Sequence, residues 1–122
     1  KQEKDFYRRL VEVCGVMVCI VDEEGICQYV TPMLCLVLER SESEILRKPI
    51  IDLIAPQFHG KYEALRAEVM QCSESQVLLG DLVLITRRKE RIRYQAVFRN
   101  ALGDPDILGV VVFIGASPST LP

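Results

Sequence analysis

The chain has 122 residues, 49% hydrophobic and 26% charged, enough to bury one core and unlike a disordered segment. Its formal net charge of -2 gives no overall attraction for nucleic acid. No apolar run approaches the ~20 residues that a helix needs to cross a bilayer, and no signal peptide is visible; with Lys1 in first place, the expectation is a piece of a longer chain.

In chain order, "DFYRRLVEVC" puts Phe6, Leu10, Val13 and Cys14 at helical spacing, with Asp5 as a candidate cap and Gly15 as a stop. So short a helix is marginal alone, so its apolar stripe must dock on something. Val16 to Val21 reads as a strand, yet it does not alternate with polar residues. Val16, Val18 and Ile20 share one side, Met17, Cys19 and Val21 the other, so both sides call for cover. Asp22 to Gly25 is a turn, and Ile26 to Val30 a second strand.

"TPMLCLVLE" follows, with Thr31 as a candidate cap and Pro32 suited to the first helical position. Ser41-x-x-Glu44 is a capping-box pattern that starts another short helix, which Lys48-Pro49 ends. "IIDLIAP" reads as a helical turn. "FHGKYEALRAEVMQC" is a longer helix with Phe58, Tyr62, Leu65 and Val69 in one stripe, Lys61, Glu63, Arg66 and Glu68 facing water, and Gly60 weakening its first turn.

The period then changes. "QVLLGDLVLITRR" is a strand, and in "RIRYQAVFRN" Ile92, Tyr94, Ala96 and Phe98 alternate with Arg91, Arg93, Gln95 and Arg99. The basic run Arg87 to Lys89 reads as a solvated hairpin end, not a phosphate site. "ALGDPD" is a turn, "ILGVVVFIGA" a strand apolar on both sides, and "SPSTLP" a linker. Helix, two strands, several short helices and three strands predict an α+β fold with one antiparallel sheet packed on helices.

The chemistry is sparse. Five cysteines, Cys14, Cys19, Cys27, Cys35 and Cys72, form no CxxC pair and mostly sit in apolar runs. They read as reduced core thiols, which points to the cytoplasm. Their spacing, with His59 as the one histidine, does not suit zinc. Cys72, in a polar context, is the candidate redox thiol, although a structural role is favoured. No nucleophile and base pair can be argued, and Glu23-Glu24 and Glu42/Glu44 read as turn and cap residues, so no enzymatic activity is expected.

The order and spacing of these small signals resemble a PAS domain. "GVMVCIVDEEGICQYVTP" is similar to the family's opening hairpin, "ERSESEILRKPIIDLIAP" to its helical middle and "ILGVVVFIG" to its last strand, over about Asp5 to Ala116. The chain departs from the family pattern at Thr31, often Asn; at Arg47, often Gly; at Lys89-Glu90, often Asp-Gly; and at Ala116 to Pro118, where an Asp-x-Thr signal joint is common. The resemblance implies a five-stranded antiparallel sheet in the order 2-1-5-4-3, with short helices on one face. It divides the chain into an N-terminal amphipathic helix (1–15), a PAS domain (16–116) and a linker tail (117–122).

It further implies a pocket between sheet and helices, with candidates Val18, Ile20, Met33, Leu36, Leu53, Ile54, Phe58, Tyr62, Leu65, Ala96, Phe98 and Val111. The other side of the sheet and the first helix, through Phe6, Leu10, Val13, Met17, Cys19 and Val112, are the candidate dimer interface. The family's flavin photosensors carry Asn-Cys-Arg-Phe on a middle helix, which "LRKPIIDLIAPQF" lacks. Haem sensors of the family use a histidine on the long helix, so His59 is the alternative haem ligand, with a filled, cofactor-free core favoured. The expected function is that of a sensory and interaction module in a cytoplasmic signalling protein. It dimerises or contacts a neighbouring domain, with or without a small apolar ligand, and feeds a histidine kinase, a cyclic-nucleotide enzyme or a transcription regulator, with no nucleic-acid or membrane contact of its own.

Overall fold

The computed structural model describes residues 3–115 and 119–120. It opens with α1 (Glu3–Val13), so Asp5 lies inside the helix and not at its cap. A hairpin of β1 (Met17–Val21) and β2 (Cys27–Val30) follows. Its turn is fixed by the Asp22 carboxylate, which accepts the Glu24 and Ile26 amides, and by Gly25 at φ +83. Next come α2 (Pro32–Leu38), α3 (Glu42–Ile45), two 3-10 turns (Ile50–Leu53 and Pro56–Phe58) and α4 (His59–Met70). Then β3 (Val77–Ile85), β4 (Arg91–Ala101) and β5 (Gly109–Ile114) complete a sheet in the order β2-β1-β5-β4-β3, the order the resemblance implies.

Three local expectations change. Thr31 precedes α2 but does not cap it with its side chain: the buried hydroxyl accepts the Val18 amide at 3.1 Å, while its own amide donates to the Val18 carbonyl. The residue thus lengthens the β1 ladder. The run "ILGVVVFIGA" forms a strand only from Gly109, because Ile107 and Leu108 belong to the preceding turn. Part of the expected linker, Ser119–Thr120, forms β6 against Arg93 and Ile92 of β4. The signal-joint position at Ala116 to Pro118 lies outside the described residues.

The capping box forms as read: the Ser41 amide donates to the Glu44 carboxylate at 2.8 Å, and α3 is one turn long. The basic hairpin end is tied down more than expected. Arg87 pairs with Glu44, Arg88 with Glu39, and the Arg87 guanidinium also donates to the Glu39 carbonyl at 2.9 Å. These contacts fasten the β3–β4 hairpin to the α2–α3 corner.

The core lies between the sheet and the helices. Phe98, Leu34, Leu38, Ile45 and Ile54 are its largest fully buried side chains. Gly80 lets α4 come close: a Cβ there would fall 2.5 Å from the Leu65 side chain. Arg66, expected in water, is mostly covered and donates to the Glu23 carbonyl at 2.8 Å, which joins α4 to the first turn.

Register decides which side of the sheet faces the helices. Ala96 opposes Ile114, Phe98 opposes Val112, and Val112 opposes Cys19. Opposed residues share a face, so the buried side of β4 carries Met17, Cys19 and Val21 with it. Val18, Ile20, Val111 and Phe113 fall on the outer side with Gln95, Val97 and Arg99. The expected faces of β1 and β5 are therefore reversed.

Candidate functional site

Between sheet and helices is a cavity of only about 10 Å3. Cys19, Leu82, Leu84, Val112 and Ile114 line it from the sheet, and Leu34, Leu38, Ile50, Leu53, Ile54 and Tyr62 from the helical layer. A buried water needs roughly 10–15 Å3 measured in this way, and drug-sized ligand sites run to ~300–1,000 Å3. The inner layer is thus a filled core.

Of the twelve pocket candidates, the structure brings Leu53, Ile54 and Tyr62 to this cavity. Ala96 and Phe98 are buried on the same side, and Met33, Phe58 and Leu65 pack on the core, without lining the cavity. Val18, Ile20 and Val111 lie on the opposite side of the sheet. Leu36 is 71% exposed, because the inward positions of α2 are Leu34 and Leu38, an i,i+4 pair. In an all-apolar segment the sequence does not single that pair out, and the sheet residues that line the cavity needed the register.

The groups with chemistry are quiet. Burial, with the nearby Cys27, pushes the Cys19 thiol well above its ordinary range. Burial also raises Cys27 to about 11, partly opposed by a main-chain hydrogen bond with Tyr29. Thiols held protonated in this way act as small apolar side chains. The Tyr62 phenol is raised as well, chiefly by burial. The Cys72 thiol donates to the Glu68 carbonyl at the end of α4. His59 points its Nε2 at the Ile54 carbonyl, 2.7 Å away, and does not line the cavity. Among the described residues no group of His, Cys, Asp and Glu could hold a metal ion.

The outer face is different. Across four strands the register aligns Val18, Phe113, Val97 and Leu79 in one apolar row. Ile20, Val111, Arg99 and Val77 form the next. Phe113 is 43% exposed and Leu79 70%. Helix α1, the expected cover, leaves this face open. It touches the sheet with its polar stripe: Glu12 lies 3.5 Å from the Tyr29 hydroxyl, and the Arg8 guanidinium 5.9 Å from the Tyr29 ring centre. Phe6, Leu10 and Val13 turn away and are exposed. Of the six candidate dimer residues, these three are on the surface, whereas Met17, Cys19 and Val112 are buried under the helices.

The model of the PAS fold matches residues 5–115. The chain belongs to the PAS family. PAS domains are sensory modules of signalling proteins. Solved structures share its fold at low identity. A domain of a sensory box sensor histidine kinase/response regulator from Geobacter sulfurreducens has a TM-score of 0.75 at 17% identity, over 93% of this chain and 94% of that one. The PAS domain of an HTR-like protein from Haloarcula marismortui has a TM-score of 0.74 at 15% identity, over 98% and 100%. The PAS domain of nitrogen regulation protein NR(II) from Vibrio parahaemolyticus has a TM-score of 0.69 at 14% identity, over 89% and 95%. Among curated proteins none matches this sequence. No helix among the described residues of this PAS domain is long and apolar enough to cross a membrane.

Proposed function

We propose that this PAS domain is an association module of a signalling protein, in which the outer sheet face and α1 dock on a second copy. One observation carries the reading: among the described residues an apolar sheet face lies without a helix and an apolar helix stripe without a face. Val18, Val97 and Phe113 await a cover, while Leu10 and Val13 point away from the domain that bears them. Two copies satisfy both needs reciprocally, each helix lying on the other's sheet. Fully burying an exposed Val, Leu or Phe is worth ~1.5–3 kcal/mol, and these part-buried side chains contribute only the remaining share of it. A change in this contact then passes to a domain joined to it; domains of similar fold occur in sensor histidine kinases.

The filled core supports a domain that holds no haem. A cavity of about 10 Å3 and a His59 Nε2 bonded to the Ile54 carbonyl favour this reading over a haem site. A small apolar ligand would enter only by displacing core side chains.

Sedimentation equilibrium tests the proposal. The wild type self-associates, and Phe113→Asp or Leu10→Asp weakens that association at least about tenfold without unfolding the domain. The same sample has no Soret band. A wild type that is monomeric at about 1 mM, or dimers untouched by both substitutions, would refute it.

A further inference from the structure

The sheet has two edges, and they are treated differently. The β2 edge is closed at Cys27, with the Arg47 amide donating to the Cys27 carbonyl and the Cys27 amide to the Lys48 carbonyl. The second half of β3 is closed too, with the Ala55 amide donating to the Val83 carbonyl and Ile54 bridged to Leu84. The first half of β3 is open. Since the main chain of Val83 points off the sheet, alternation turns Asp81, Leu79 and Val77 the same way. None of the three has a main-chain partner on that side among the described residues. Folded proteins ordinarily blunt such an edge with charge, proline, a bulge or a covering loop. Here Lys61 stands beside it, its ammonium 3.9 Å from the Asp81 carboxylate, and Val77 and Leu79 are exposed.

We propose that β3 of a second copy pairs antiparallel with this edge, about a two-fold axis through Leu79. The contact is made by the β3 main chain and not by the packing of the outer face, although the Leu79 and Val77 side chains also belong to that face. The pairing sets Leu79 opposite the partner's Leu79 and Val77 opposite the partner's Asp81, so every open amide and carbonyl of the stretch finds a mate. Charge favours a second copy over an unrelated strand. Lys61 and Glu68 are seven residues apart on α4, two turns, and so share one flank. The approach of Lys61 to Asp81 marks that flank as the one beside the edge. α4 runs opposite to β3: Lys61 lies by Asp81, Leu65 by Gly80, and the Met70 carbonyl by Asn100, the neighbour of Val77's partner Arg99. A two-fold axis through Leu79 therefore directs Lys61 toward the partner's Glu68, and Glu68 toward the partner's Lys61. The row Val18, Phe113, Val97, Leu79 also runs on into its symmetry mate.

The test uses chains that all carry Phe113→Asp, which removes the outer face from the measurement. The parent retains a concentration-dependent association, and the amides of Val77, Leu79 and Asp81 exchange more slowly as concentration rises. Lys61→Glu and Glu68→Lys each weaken association at least about threefold by opposing like charges, and an equimolar mixture of the two restores it, because each now meets its opposite. A parent that is monomeric at about 1 mM overturns the edge contact and leaves the outer-face reading standing. Exchange at those three amides that ignores concentration, or a mixture no tighter than its components, overturns it as well. Failure of the outer-face reading appears separately, as Phe113→Asp leaving wild-type association unchanged.

Discussion

The two faces of the central strands carry much the same side chains and fare differently. On the inner side Met17, Cys19, Val21, Val110, Val112 and Ile114 are all buried. On the outer side Val18, Ile20 and Val111 are half-buried and Phe113 is exposed. Burial therefore follows what lies over each face. The helical layer covers one, while α1 stands at the margin of the other on a polar contact with Tyr29. The inner face stabilises the monomer; the outer face holds apolar area whose burial is released only on association. The sharpest way to break this comparison is to put one charge on each side of β5. Val112→Asp buries an uncompensated carboxylate and destabilises the domain by at least about 3 kcal/mol in urea denaturation. Phe113→Asp, one residue on, changes monomer stability by less than about 1 kcal/mol. Equal losses would mean that the two faces are not energetically distinct.

That contrast also explains what the sequence conveys. The order of elements was legible because its signals are local: the Asp22 to Gly25 turn, Pro32, the Ser41 and Glu44 box, and the alternation of β4. The faces of β1 and β5 were not, because both sides of each strand are apolar and alternation has nothing to report. Their assignment comes from β4, where Gln95 and Arg99 mark the wet side, carried across by a register linking residues far apart in the chain. α2 misleads for a similar reason. "PMLCLVL" is apolar all round, so Leu36 competes with Leu34 and Leu38 until packing chooses. The open half of β3 is recognisable only once residues 54 and 55 are seen to cover the other half.

A smaller effect sharpens the comparison of edges. Arg47, whose amide closes the β2 edge, sits at φ +63, where a side chain is strained and glycine is not. Its side chain is exposed, so little is lost with it. Arg47→Gly is expected to stabilise the domain by about 0.5–1 kcal/mol, the relief of strain outweighing glycine's greater freedom in the unfolded chain. A lower melting temperature would show that the side chain contributes more than its conformation costs. The same substitution leaves the β3 edge, and any association through it, unchanged.

The smallest expected effect concerns the tie between the helical layer and the β3–β4 hairpin. Arg87 pairs with Glu44, and with help from the Ser41 amide and hydroxyl it lowers the Glu44 carboxyl to about 2. Glu39 is lowered in the same direction, first by Arg88. An unfolded glutamate titrates near ~4.3, so the folded state holds these protons less tightly. The resulting stabilisation is fully present above that value and is lost as pH falls through the window from about 4.3 toward about 2. Glu44 is exposed and Glu39 partly so, and the contribution is modest and shrinks with added salt. NMR titration of the Glu44 carboxyl reads it directly. In Arg87→Ala the midpoint rises but stays below the free value, because the capping box with Ser41 remains. A midpoint that does not move would mean that the box alone lowers Glu44, and that the hairpin is held by its main-chain contacts, such as the Arg87 amide on the Leu38 carbonyl. Outer-face association should not respond to Arg87→Ala, since this tie joins the hairpin to the α2–α3 corner on the other side of the sheet.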